Sequence, residues 1–341
     1  PMTDILRSII DAINSVVMNH GWSIAIFTLL IRLVLMPLDV KSRKSMRRMT
    51  LIQPEIERLQ KKYANDKQKM NMKMSELYKK EKINPLSGCV PMLIQWPILI
   101  WMFAAMRAIA NEQMVVQVFN YLAEAAQPIA NADHWLWVKN VWVADSLFTS
   151  MAPDINSLTM VGADVWSKIY QTLNPEQLAV IAGNVSGAID FSTAEASQTT
   201  IQMLLTSLQA LPAYKDAALT VDGWSNVQIL LFQISLYVHN NGYLVLPILA
   251  GVSQVVTSKL TTQQTAGAAQ QTSQQQSTTK FMQIFFPILS VYFCLTSNAG
   301  FAIYWVASNL IMGAQSVLIN KYLEKQDEKK KASVAGEGSV K

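Results

Sequence analysis

The chain has 341 residues, 51% of them hydrophobic and only 15% charged, where a soluble domain averages about 25% charged. Mean hydropathy is +0.20, and apolar runs alternate with charge-rich stretches, which excludes an ordinary soluble enzyme and points to several bilayer crossings. Net charge is +5, the two cysteines (Cys89, Cys294) lie inside apolar runs and the three histidines (His20, His134, His239) are scattered, so the sequence offers no disulfide framework and no metal-ligand spacing.

Residues 3–19 place Ile5, Ile9, Ile13 and Val16 or Val17 on one helical face, with Asp4, Arg7, Asp11 and Asn14 elsewhere. This predicts an amphipathic helix over 1–20 lying in the outer membrane interface. It does not read as a secretory signal, because the long apolar core begins too late and no Ala-x-Ala-like site follows it. The first span is predicted over 21–40 and the second over 85–110. Pro85, Gly88, Pro91 and Pro97 crowd the second, so it is expected to be short and bent.

Between these spans, 41–84 is crowded with Lys and Arg, among them Arg47 and Arg48. Ile52, Ile56, Leu59 and Tyr63 recur at helical spacing, as do Met70, Met74 and Leu77 after a polar break at Ala64-Asn65-Asp66. Two narrow stripes of this kind predict two helices paired as an antiparallel hairpin, and Pro54 should kink the first or set its start.

Residues 111–241 are poor in Lys and Arg. Apolar-periodic stretches at Trp135–Phe148, Ile201–Leu211 and Val227–Val238, and a helix start at Asn174-Pro175-Glu176, predict a mainly helical insert. Val227–Val238 is too short to be a span. Further spans are predicted over 242–260, 281–297 and 300–320, the last two joined by a tight turn at Ser297-Asn298-Ala299-Gly300. The segment 261–280 is low-complexity and polar, which predicts a mobile loop, and 321–341 is a basic tail. Lys and Arg favour the cytoplasmic side. That sets five spans with the N-terminus outside and the C-terminus inside, a cytoplasmic hairpin and an extracytoplasmic insert.

Arg32 lies ten residues after Trp22 and nine before Lys41, near mid-membrane at about 1.5 Å per residue. An arginine there costs about 2.5–3.5 kcal/mol on insertion scales. A wet cavity open on one side would keep it solvated, and such a cationic groove would attract acidic residues of a polar segment crossing the bilayer. Thr28 sits one turn before Arg32 on the same face. Gln95 in the second span and Ser308, Asn309 and Gln315 in the fifth either line the same cavity or bond between helices. Tyr304-Trp305 is either aromatic packing or a contact for a client helix. The sequence has no Walker motif, so no nucleotide hydrolysis is expected.

The string LYKKEKINPLSGCVPMLIQWPIL (77–99) resembles the signature leading into the second core helix of the YidC/Oxa1/Alb3 family. IRLVLMPLDVKSRKSMRRMTLIQPEI (31–56), YLVLPILAGVSQ (243–254) and AGFAIYWVASNL (299–310) resemble its first, third and fifth core helices and the start of its hairpin. The resemblance implies an all-α integral membrane protein with a five-helix core and a hydrophilic groove open to cytoplasm and lipid. It makes Arg32 the groove arginine, Thr28 its polar neighbour and Tyr304 and Trp305 client-contacting aromatics. The hairpin, with Arg47, Arg48, Pro54, Met70 and Met74, is implied in client recruitment. The implied activity is that of an insertase and chaperone, not an enzyme, with no cofactor, metal or small-molecule substrate. Its partners would be nascent membrane-protein clients, the ribosome and signal recognition particle pathway, the Sec translocon and membrane lipid, at the bacterial cytoplasmic membrane. Two departures stand out. The segment 111–241 is longer than the family's usual loop, with only HWLWVKNVWVADSLF (134–148) resembling its Trp-rich stretch. The large domain that Gram-negative members carry before the first core helix does not appear, which suggests a Gram-positive-type member. Rival readings are a small transporter binding an anionic solute at Arg32, an assembly chaperone that does not translocate, and a plain anchor. Five unrepeated spans argue against the first, and Arg32 has no place in the last.

Overall fold

The computed structural model describes residues 2–81, 83, 90–123, 133–218, 224–229, 232–237, 239–266 and 273–338. The amphipathic segment forms α1 (Met2–Val17), with Leu6 and Ile10 buried and Ile5, Ile9 and Val16 exposed. Next come α2 (His20–Leu51), α3 (Gln53–Lys62), α4 (Lys67–Lys80) and α5 (Val90–Ala123). The insert contributes α6 (Ile155–Thr159), α7 (Ala163–Tyr170), α8 (Pro175–Asn184), α9 (Ala194–Ala210), α10 (Pro212–Ala218) and the strands β1 (Trp224–Ile229) and β2 (Phe232–Tyr237). The chain ends in α11 (Val245–Ala266), α12 (Ser273–Thr296) and α13 (Ala299–Gly338).

By contacts the chain divides into two units. One holds Pro1–Phe27, Trp101–Leu249 and Val291–Trp305; the other holds Thr28–Ile100, Ala250–Ser290 and Val306–Lys341. The helices α2, α5, α11, α12 and α13 have residues in both. In the first unit, Trp142, Trp166, Phe119 and Phe301 are fully buried, and Phe119 packs edge-on against Trp166 of α7 at 5.9 Å. The insert thus shares a core with the last turns of α5. The helix start read at Asn174 is α8, closed by a reciprocal capping box between Asn174 and Gln177.

In the second unit, α3 and α4 pair around Ile52, Ile56, Leu77 and Ile83, with Leu59 and Met74 against them. Pro54 falls in the first turn of α3, where its missing N–H is harmless, so it sets the start rather than a kink. The Asp66 side chain caps α4 by accepting from Lys69 N at 2.9 Å.

The long apolar helices expose apolar side chains. Val34 of α2 is 76% exposed, Ile288 of α12 65% and Leu318 of α13 64%; α5 exposes Leu93 and Ile100, and α11 exposes Ile248 and Val252. Meanwhile Thr28, Ser253, Thr257, Ser290, Asn309 and Ser316 are buried on these same helices. Apolar outside and polar inside is the reverse of a soluble fold and suits a lipid solvent. Among the described residues, α2, α5 and α13 are each long and apolar enough to cross a membrane, while the apolar parts of α11 and α12, Val245–Thr261 and Gln283–Thr296, are shorter.

Four differences from the sequence reading have physical causes. The second span is not short: α5 runs 34 residues, because Met114, Val115, Val118, Phe119 and Leu122 continue a buried helical stripe beyond Ala110. The residues 84–89, with Pro85, Gly88 and Cys89, lie outside the described part. The polar segment 261–280 is helical over 261–266, where it continues α11, and over 273–280, where it begins α12. The basic tail continues α13 to Gly338. In the otherwise helical insert, β1 and β2 pair antiparallel with Val227 opposite Ile234 and Ile229 opposite Phe232. Their polar–apolar alternation has the period of a strand.

Candidate functional site

The second unit gathers polar side chains around Arg32. This residue is 6% exposed. Its Nε donates to Ser308 Oγ at 3.1 Å, and a terminal guanidinium nitrogen donates to the same hydroxyl. The Arg32 carbonyl accepts from Gln315 Nε2 at 3.0 Å. Ser308 and Gln315 are seven residues apart, two turns along one face of α13, so that face is stitched to α2 at two levels. Asn309 looks elsewhere: its Nδ2 donates to Ser253 Oγ at 3.2 Å, and its carbonyl accepts from Thr257 Oγ1 at 3.0 Å, which ties α13 to α11. Thr28 is 1% exposed, and Gln95 is half-buried on α5.

Arg32 is thus tied to α13 by hydrogen bonds through its guanidinium and its carbonyl.

Of the remaining predicted residues, Tyr304 and Trp305 belong to the first unit, where they pack as aromatics. Phe301 lies 6.3 Å from the Tyr304 ring and 5.6 Å from the Trp305 ring, and Phe293 lies 6.3 Å from Trp305. On the helical hairpin, Met74 packs into the α3–α4 core, Met70 is half-buried and Pro54 is exposed, while Arg48, also exposed, lies near the end of α2. Arg47 is engaged, 3.6 Å from Glu324 and 3.4 Å from Asp327 on the extension of α13.

Sequence reasoning missed a second polar construction, in the first unit, built on the stretch 133–146. Asp145 is 0% exposed. Its Oδ1 accepts from Tyr243 N at 2.8 Å and Leu244 N at 3.1 Å; its Oδ2 accepts from Leu246 N at 2.7 Å and Trp137 Nε1 at 3.1 Å. It therefore caps the N-terminus of α11 from about a hundred residues away. A Cβ on Gly242 would run into this carboxylate. Asn241 Nδ2 donates to the carbonyls of Asn140, Val143 and Ala144, and Asn140 exchanges side-chain hydrogen bonds with Gln117 of α5. The carbonyls of Val143 and Val141 accept from Ala299 N at 2.9 Å and Gly300 N at 2.8 Å at the start of α13. Asp133 approaches His20 of α2 at 2.8 Å and accepts from Trp142 Nε1 at 2.7 Å. Burial alone would push the Asp133 carboxyl up, but His20 and the Trp142 indole outweigh it and hold it below its ordinary value. One strap thus binds α2, α5, α11 and α13. Its signal in the sequence was the polar set Asn140, Asp145 and Asn241 flanking apolar runs.

A family model described as 60Kd inner membrane protein matches residues 12–207 and 190–327. A Fusobacterium nucleatum subsp. nucleatum protein named Membrane protein insertase YidC is 47% identical over 103 residues, 30% of this chain and 50% of that protein. Proteins of the same name from Francisella tularensis subsp. novicida and subsp. tularensis are each 48% identical over 101 residues, 30% of this chain and 18% of theirs. The chain therefore spans at most half the length of these curated relatives.

Proposed function

From the premise that the chain belongs to the 60Kd inner membrane protein family, the YidC/Oxa1/Alb3 family its core motifs resemble, we propose that it inserts client membrane proteins into the bilayer. In this reading α2, α5, α11, α12 and α13 cross the bacterial cytoplasmic membrane, with the N-terminus outside, the C-terminus and the α3–α4 hairpin in the cytoplasm, and the insert outside. The client's polar flank enters the polar cluster of the second unit from the cytoplasm, while its apolar helix moves sideways into lipid. Partitioning of that helix supplies the driving force, at about 25 cal/mol per Å² of apolar surface, and no nucleotide is consumed. The basic end of α2, including the exposed Arg48, and the α3–α4 hairpin receive ribosome-bound clients through the signal recognition particle pathway, alone or beside the Sec translocon.

The observation that carries the proposal is Arg32, buried on a candidate span and hydrogen-bonded to Ser308. A cation held at that depth attracts acidic residues of a passing segment and lowers their desolvation cost. The test is insertion into reconstituted vesicles of a short single-span client with an acidic translocated tail. Arg32→Ala should slow insertion about tenfold, the equivalent of one charge-assisted contact of ~1.4 kcal/mol, while Arg32→Lys retains most activity and neutral-tailed clients are unaffected. Normal rates for every client with Arg32→Ala would refute the electrostatic mechanism.

A further inference from the structure

The exposed apolar edge of α1 borders an open cleft. An open cleft of about 740 Å³ runs along Ile5, Ile9, Ile13 and Val16, with Ile26 of α2 on its other wall. Only Asp4 and Ser8, toward one end, add polar side chains. We propose that this cleft holds one acyl chain of an outer-leaflet phospholipid as a resident lipid, distinct from the lipids that exchange around the bundle.

Three observations carry this assignment. The cleft is apolar, so its ligand is hydrocarbon. It is bordered on α2 by the exposed Ile26, with exposed Trp22 one turn before it; on a membrane-crossing helix such a face meets lipid. Finally, the cleft is held open. The Arg7 guanidinium grips both oxygens of Glu112 on α5, and Lys168 of α7 donates to the same carboxylate at 2.9 Å. At the other end the α1–α2 elbow is locked, with Asn19 Nδ2 donating to the His134 carbonyl at 2.9 Å and the Trp22 ring set edge-on to Trp135 at 5.4 Å. A Cβ on Gly21 would collide with the Trp135 indole. A fixed wall on both sides removes the ordering cost that an ordinary surface imposes on a bound chain. This inference rests on α2 being a bilayer span.

The experiment uses the full chain in nanodiscs of a single phospholipid, extracted gently into detergent and weighed by native mass spectrometry. One retained phospholipid per chain is expected. Ile13→Trp, which fills the cleft, should reduce retention about tenfold; Val34→Trp, on the exposed face of α2 outside the cleft, should leave it unchanged. In parallel, a phospholipid with a photoactivatable acyl chain should label α1 more strongly than Val34. No retained lipid, equal loss in both variants, or a retained peptide or second chain in place of lipid overturns the proposal. Absence of labelling at both α1 and Val34 would instead overturn the reading of α2 as a span.

Discussion

Replacing Asp145 by Asn keeps the side chain's shape but turns one acceptor into a donor. Four N–H groups converge on the Asp145 carboxylate, from Tyr243, Leu244, Leu246 and Trp137. Whichever way the new amide lies, two donors face an NH₂ group. Hydrogen bonds to a charged group contribute about 1.5–3 kcal/mol each, and bonds sharing one acceptor do not add in full. The cost is therefore about 3 kcal/mol for Asp145→Asn and about 3–5 kcal/mol for Asp145→Ala, which leaves all four donors unpaired in a buried site. It falls first on the start of α11, so amide exchange at Tyr243–Leu246 should quicken roughly a hundredfold for the Asn variant, at about 1.4 kcal/mol per factor of ten. Hydrogen exchange by mass spectrometry in detergent or nanodiscs measures this directly. Exchange at those amides indistinguishable from wild type would show that the carboxylate does not hold the helix end.

Gly242→Ala should produce a similar, smaller exchange defect at the same amides, because its methyl group occupies the space of the Asp145 carboxylate. Leu77→Ala in the α3–α4 hairpin should cost about 2–4 kcal/mol and expose 52–83 to limited proteolysis, with the amides of α13 unaffected; equal destabilisation throughout would mean that the hairpin is not a separate cooperative unit. The depressed Asp133 titration sets a direction for pH. A carboxylate whose folded value lies below its ordinary 3.8 stabilises the fold at pH above that value and loses the contribution as pH falls through the folded one. Thermal scans should therefore find the gap between wild type and Asp133→Asn shrinking only below the ordinary carboxylate range. A gap that closes already between neutral pH and pH 5 would contradict the lowered value.

The parts of the fold legible in the sequence are those where one local period dominates. Ile5, Ile9 and Ile13 gave α1, the two apolar stripes at Ile52 and Met70 gave the hairpin with its Asp66 break, and Asn174-Pro175 gave α8. Each is a local helical signal that tertiary structure leaves in place. The strap at 133–146 was illegible because its meaning lies in partners far along the chain. Asp145 reads as one more acid in an external loop until Tyr243–Leu246 are brought to it, and no spacing rule links them. The length of α5 failed for a related reason. Asn111-Glu112-Gln113 looks like the end of a span, yet Glu112 is held by Arg7 and Lys168, and the helix continues into the insert's core. At the candidate site, Arg32 stood out by cost alone, while Ser308 and Gln315 as its partners became identifiable only through the register of α13 against α2.

The two units differ in what separation of their own helices would cost. In the first, helix ends are held by backbone and side-chain hydrogen bonds to one strap, through Asp145, Asn140, Asn241 and the carbonyls of Val141 and Val143, and its core is filled by Phe119, Trp142, Trp166 and Phe301. Parting those helices would leave buried donors unpaired and expose large rings, both expensive. In the second, the side-chain hydrogen bonds between helices run through hydroxyls, amides and one guanidinium: Arg32 with Ser308, Asn309 with Ser253 and Thr257, and Gln315 with the Arg32 carbonyl. Water or a client's polar backbone can replace each of those partners at about 0.5–1.5 kcal/mol per neutral hydrogen bond, and about 1.5–3 kcal/mol at the Arg32 guanidinium. On the proposed function, these exchangeable bonds are the ones a client's polar flank would replace, while the strap's bonds would stay in place. Ser308→Val separates this from a purely structural role for the cluster. Removing the hydroxyl under Arg32 should raise the cost of leaving that cation buried and shift it toward hydration. Thermal stability would then fall while acidic-tailed clients still insert. Loss of insertion with unchanged stability would mean that Ser308 itself meets the client.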